Sequence, residues 1–71
     1  MNIGRNIKTI RVSKNLSQKH LAAKVGITPT YLSLIENEVK KPSLTLIEKL
    51  SQVLDIPLTL LFGELTFSGV R

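Results

Sequence analysis

The sequence predicts an all-α fold, a compact domain of five short helices, and three observations predict it. Apolar residues recur at helical spacing throughout the chain. Helix-starting and helix-stopping residues punctuate that pattern at short intervals. The chain has 71 residues, 42% of them hydrophobic, and no cysteine, so it fits one small domain (residues 1–71) without a disulfide. A domain this short buries only roughly 60% of the surface its unfolded chain exposes. Its stability must come from close packing, helped by a partner subunit.

Each element follows in order. Ile3, Ile7 and Ile10 lie at i, i+4 and i+7, and Asn2 is placed to cap the first helix. Lys14 and Asn15 close it, asparagine being one of the few residues besides glycine that accept the left-handed conformation of a helix end. Ser17 caps a second helix that turns Leu21, Ala22 and Val25 inward and stops at Gly26. Thr28 followed by Pro29 starts a third: a capping hydroxyl, then proline at the first helical position. That helix runs to about Asn37 and buries Leu32 and Ile35, and a short basic loop follows from Glu38 to Pro42. Ser43 opens a fourth helix with Leu46, Ile47, Leu50, Val53 and Leu54 at core spacing. Asp55 and Ile56 form a tight turn, Pro57 starts a last short helix through Phe62, and Gly63 ends it. In residues 64–71, Leu65, Phe67 and Val70 alternate with polar residues or glycine, which fits a short strand, a docking arm or a loose end.

The net charge of +5 is unevenly placed. Residues 1–41 hold eight cations and two anions, whereas residues 42–71 hold two cations and three anions. A basic half on a small chain points to a polyanion, most often nucleic acid; a solvated face that only aids solubility is the alternative. The cations are spread over several elements, which argues against a membrane-surface helix. No run reaches the roughly 18 apolar residues of a membrane span, and Met1 to Ile10 lacks the apolar core of a signal peptide. A soluble, cytoplasmic protein is expected.

The block from Gln18 to Asn37, QKHLAAKVGITPTYLSLIEN, holds two short helices hinged at Gly26, with too few residues between them to lie antiparallel. Ala22 and Ala23 are small enough for the helices to approach closely, and Val25, Ile27, Leu32 and Ile35 suit the corner between them. This is a helix-turn-helix pattern, in which the second helix sits in a DNA major groove; a helical corner without DNA shares some of these features.

The segments IKTIRVSKNLSQKHLAAKVGI, TYLSLIEN and KKPSLTLIEKLSQVLDIPLTLLF resemble the phage repressor/Cro-like (XRE-type) helix-turn-helix family. The resemblance covers about residues 3–63. It implies a five-helix, repressor-like domain that binds double-stranded DNA as a homodimer. It further implies that Gln18 reaches a phosphate and that Arg11 and Glu36 form an ion pair supporting the DNA-facing surface. The chain departs from the family pattern at Glu38, where glycine is frequent, at Val39, where a basic residue is common, and at Leu34, where arginine is frequent. Asp55 and Pro57 stand where a turn glycine and a capping serine are common. A glutamate in a left-handed position costs energy, so the exit of the third helix is expected to differ, and Glu38 puts an anion near the phosphate path.

Steps of roughly 100° per residue put Thr30, Ser33, Leu34 and Asn37 on one face of the third helix, opposite Leu32 and Ile35. The two hydroxyls suit base edges, and Leu34 or the Thr30 methyl suits a thymine methyl. No Arg, Gln or Asn sits mid-face for a bidentate base contact, so specificity is expected from van der Waals fit and DNA shape as much as from paired hydrogen bonds. Leu34 has a second reading, as core or protein contact. Thr28 reads first as a cap. Pro29 removes one donor, but other first-turn N–H groups remain free to meet a phosphate. Tyr31 lies between the faces, with its hydroxyl at a phosphate or its ring in the core. Lys40 and Lys41 follow the helix and suit the backbone, as does Lys19.

Leu58, Leu60, Leu61 and Phe62 offer more apolar surface than a solvent-facing turn needs, and part of it closes the core. The remainder, with Leu65 and Phe67, is a candidate dimer patch, set at Leu58, Leu61, Phe62, Leu65 and Phe67; folding back onto the fourth helix is the alternative. Catalysis finds no support. His20 is the single histidine, no acidic or histidine cluster has metal-ligand spacing, and the four glycines are isolated, with no phosphate loop. Neither cofactor nor metal is expected. Three functions stay open: a regulator binding an operator as a dimer, an antitoxin-type protein that covers a protein partner and controls its own promoter, and an RNA or non-specific binder. The last is weakest, because Tyr31, Phe62 and Phe67 make no stacking platform.

Overall fold

Hydroxyl side chains set where three of the five helices begin. The Ser17 Oγ accepts the His20 N–H at 3.0 Å, the Thr28 Oγ1 accepts that of Tyr31 at 3.0 Å, and the Ser43 Oγ accepts that of Leu46 at 3.1 Å. Each satisfies a first-turn donor that has no partner inside its helix. In the computed structural model, which describes residues 2–62, the helices are α1 (Ile3–Ser13), α2 (Gln18–Val25), α3 (Pro29–Glu36), α4 (Leu44–Leu54) and α5 (Leu58–Phe62).

One device ends four of them. After α1, α2, α3 and α4 a single residue takes positive φ: Asn15 at 59°, Gly26 at 80°, Glu38 at 64° and Asp55 at 56°. The N–H of the next residue then reaches back to a carbonyl of the last turn, Leu16 to Arg11, Ile27 to Ala22, Val39 to Leu34 and Ile56 to Ser51, at 2.9 to 3.1 Å. This is the Schellman closure, which satisfies carbonyls that would otherwise be orphaned. Gly26 adopts the conformation without steric cost; Asn15, Glu38 and Asp55 do not. The exit of α3 therefore keeps the usual geometry despite its glutamate, contrary to the expectation that it would differ.

The core joins all five helices. Ile7, Leu21, Leu32, Ile35, Leu50, Leu54 and Leu61 are fully buried, and Ala22, Val25, Leu46 and Ile47 pack with them. α1 packs on α3 and α5, α2 on α3 and α4, and α4 on α5. Ala22 is buried at the α2–α3 corner, whereas Ala23, expected to share that role, is exposed.

Two cross-helix contacts fix α1. Gly4 lies against α3 so closely that an added Cβ would overlap the Ile35 carbonyl oxygen. On α5, the Leu61 carbonyl accepts a hydrogen bond from the Asn6 Nδ2 at 2.9 Å, which satisfies an end of that helix. Asn2 flanks α1 but makes no side-chain capping bond, so its expected role is not filled. Among the described residues no helix is long and apolar enough to cross a membrane.

Candidate nucleic-acid interface

The face of α3 turned from the core is built by its burial pattern. Leu32 and Ile35 are fully buried, which forces the other side outward. Thr30 and Asn37 are exposed, and Ser33 and Leu34 are half-buried. The Asn37 Nδ2 donates to the Ser33 Oγ at 3.4 Å, a long bond that leaves both groups capacity for other partners. Thr28 and Pro29 are exposed at the helix start, the Thr28 oxygen being the cap, as read from the sequence. Tyr31 is half-buried with its side chain packed against the core.

Beneath this face lies a buried ionic network. The Arg11 Nε donates to the Glu36 Oε2 at 2.7 Å, and the Nη2 donates to the Oε1 at 3.0 Å. The side chains are 10% and 1% exposed. The third guanidinium nitrogen, Nη1, donates to the Leu16 carbonyl at 2.7 Å. Gln18 Nε2 donates to the Glu36 Oε1 at 2.8 Å. No buried side-chain nitrogen or oxygen among the described residues lacks a partner, which is the condition under which a buried pair is tolerated. Glu36 is thereby tied to α1, through Arg11, and to the start of α2, through Gln18. Gln18, expected at a phosphate, spends one amide N–H on Glu36; the amide has a second.

Around this surface, Lys19, Lys40 and Lys41 are exposed, and Arg11–Glu36 is the one ion pair among the described residues. Glu38, expected to put an anion near the phosphate path, is exposed, and its Oε2 accepts the Arg5 N–H at 2.9 Å.

The proposed dimer patch needs correction. Leu61 is 0% exposed and belongs to the core of its own chain, because α5 must close the bundle over α1 and α4. Leu58 and Phe62 are half-buried and pack on that core, while Leu60 is the exposed leucine of α5. Leu65 and Phe67 lie outside the described residues.

Sequence reasoning missed one position here and named another only as a departure from the family pattern. The latter, Val39, is 66% exposed in the basic loop at the exit of α3. Gly4 reads as isolated in the sequence, although a glycine inside a helical pattern is itself a sign of close packing. Among the described residues no group of three His, Cys, Asp or Glu is placed to hold a metal ion.

Comparison with known proteins agrees with the geometry. Residues 7–61 match the family described as Helix-turn-helix. The HTH-type transcriptional regulator SinR of Bacillus licheniformis is 41% identical over 63 residues, covering 87% of this chain and 57% of the relative. The chain thus spans little more than half of that relative's length. A crystal structure of SinR in complex with DNA superposes with a TM-score of 0.78 at 41% identity, over 84% of this chain and 97% of that one. The restriction-modification controller protein C.AhdI of Aeromonas hydrophila superposes with a TM-score of 0.81 at 34% identity, over 86% and 92% of the two chains. With its two-helix corner, its buried Arg11–Glu36 pair and these matches, the chain belongs to the repressor-like helix-turn-helix family.

Proposed function

We propose that this chain is a sequence-specific, double-stranded-DNA-binding regulator of transcription that acts as a homodimer on a two-fold symmetric operator. The observation that carries the reading is the outward face of α3, where Thr30, Ser33, Leu34 and Asn37 stand free of the core on a helix that Arg11 and Glu36 hold from behind. In the major groove the Thr30 and Ser33 hydroxyls meet base edges and the Leu34 side chain meets a thymine methyl. Gln18 with its second amide N–H, Lys19, and the Lys40–Lys41 loop meet phosphates on either side and fix the register. The DNA present in the SinR crystal structure supports this class of ligand.

Two copies place their α3 helices about 34 Å apart on one side of the duplex. The antitoxin-type alternative draws on the same apolar surface, around α5, as the dimer patch. The burial of Leu61 takes that residue from both, so the outward face of α3 and not this surface decides between the readings. A cytoplasmic location and the absence of catalysis belong to the same reading. Footprinting on genomic fragments tests it: a protected site with two-fold symmetry is expected, and uniform affinity for all DNA contradicts it.

A further inference from the structure

We propose that Glu38 is a positioning residue of the DNA-facing loop: its carboxylate clamps the exit of α3 to the first turn of α1, and the clamp sets where Lys40 and Lys41 meet the duplex. The consequence for DNA rests on the function proposed above; the clamp does not.

Glu38 holds φ at 64°, where glycine is the residue without cost. From there its side chain reaches 33 positions back along the sequence, and Oε2 accepts the Arg5 N–H at 2.9 Å. That N–H belongs to the first turn of α1, which has no acceptor within the helix. Asn2, the residue placed to cap it, makes no side-chain capping bond. Gly4 permits the approach, for a Cβ there would overlap the Ile35 carbonyl oxygen and stand 3.1 Å from the Glu38 Oε2. The same corner forms a cleft lined by Ile3, Gly4, Glu38, Lys40, Lys41 and Pro42. The carboxylate therefore does the work of an N-cap from beyond the end of α3, at the root of the loop that carries both lysines.

The physical consequence has two parts. A loop anchored at Glu38 delivers Lys40 and Lys41 from a fixed starting point, so less freedom is lost when they settle on phosphates. Phosphate contacts set register on the duplex, and register decides which bases α3 meets. The same carboxylate is an anion near two cations, so it lowers the general attraction of the corner to any polyanion. The charge acts on operator and random duplex alike, so it is the clamp that favours a correctly seated complex over a loosely bound one.

The test uses the full chain with Glu38→Gln and Glu38→Gly. Glutamine keeps a carbonyl oxygen able to accept the Arg5 N–H but has no charge; glycine relieves the backbone and offers no acceptor. Amide hydrogen exchange at Arg5, followed by NMR without DNA, reads the clamp. Binding to the footprinted operator and to random duplex reads its consequence. Exchange at Arg5 is expected to quicken about fivefold in the glycine variant, the effect of removing one hydrogen bond, and less in the glutamine variant. Operator preference over random DNA is expected to fall by about threefold or more with glycine and to be retained with glutamine. A residue that serves only as a turn gives the reverse: the glycine variant keeps or improves its preference, and that result overturns the proposal. Unchanged Arg5 exchange in the glycine variant overturns it as well. A wild-type chain without operator preference removes the DNA-binding function and the positioning role together, while Arg5 exchange still reports the clamp, so the two failures are separable.

Discussion

Arg11 and Glu36, 25 positions apart in sequence, meet through two hydrogen bonds of 2.7 and 3.0 Å in the interior of the domain. The pair joins α1 to the last turn of α3, so the helix proposed to read DNA is held from beneath by charge as well as by apolar packing. Buried pairs of this kind are costly to break from one side, because the remaining ion has neither water nor a partner.

Arg11→Met is expected to lower unfolding free energy by about 3–5 kcal/mol, since it leaves the Glu36 carboxylate buried without a counter-ion, held only by the Gln18 amide. Adding Glu36→Leu to that variant is expected to recover most of the loss, because no charge then remains in the interior. Urea denaturation of the two variants checks both statements. A single substitution costing under about 1 kcal/mol would show that water reaches the pair.

Asp55→Gly is expected to stabilise the domain by about 0.5–1 kcal/mol, since Asp55 holds φ at 56° after α4 and glycine adopts that conformation freely. For a domain of this size a gain of 1 kcal/mol corresponds to roughly 4–8 °C in Tm. Calorimetry on the variant measures it, and a lower Tm would mean that the aspartate side chain stabilises the turn.

Gly4→Ala is expected to destabilise by about 1–3 kcal/mol, as an overpacked core does, because the added methyl meets the backbone of Ile35 rather than a flexible side chain. Thermal unfolding followed by circular dichroism shows the effect; an unchanged midpoint would mean that α1 and α3 separate at little cost.

Most of the fold is legible in the sequence because it rests on local chemistry. Ser17, Thr28 and Ser43 cap helices where hydroxyls precede apolar periodicity, and Asn15 and Gly26 end them where residues tolerant of the left-handed conformation stand. What stays hidden is long-range. Nothing in the order of residues reveals that Glu38 serves a helix 33 positions earlier, or that Gly4 touches the backbone of Ile35. Leu61 misleads for a related reason: an apolar residue near a chain end reads equally as core or as patch, and only the packing of α5 over α1 and α4 decides it. The outward side of α3 is legible from helical geometry, since the fully buried Leu32 and Ile35 fix which side faces out. The partner of Gln18 is not, because an amide within reach of a carboxylate and of a phosphate satisfies either.

Lys41→Ala is expected to weaken binding to operator and to random duplex alike, because a phosphate contact carries no sequence information. The slope of log affinity against log salt is expected to become shallower by roughly 0.9, since one phosphate fewer is neutralised. Titrations at several salt concentrations measure the slope, and a weakening confined to the operator would make Lys41 a reader of bases or of groove shape.

Selection from a pool of randomised duplexes, run in parallel on the wild-type chain, Thr30→Ala and Leu34→Ala, tests most directly whether the outer side of α3 reads bases. The wild type is expected to enrich a two-fold symmetric site, and each substitution is expected to relax or change the preferred base at one symmetric pair of positions, with a penalty of roughly 1–3 kcal/mol for the base that the side chain no longer touches. Identical enriched sites from all three proteins, or no enrichment from the wild type, would contradict that role for α3.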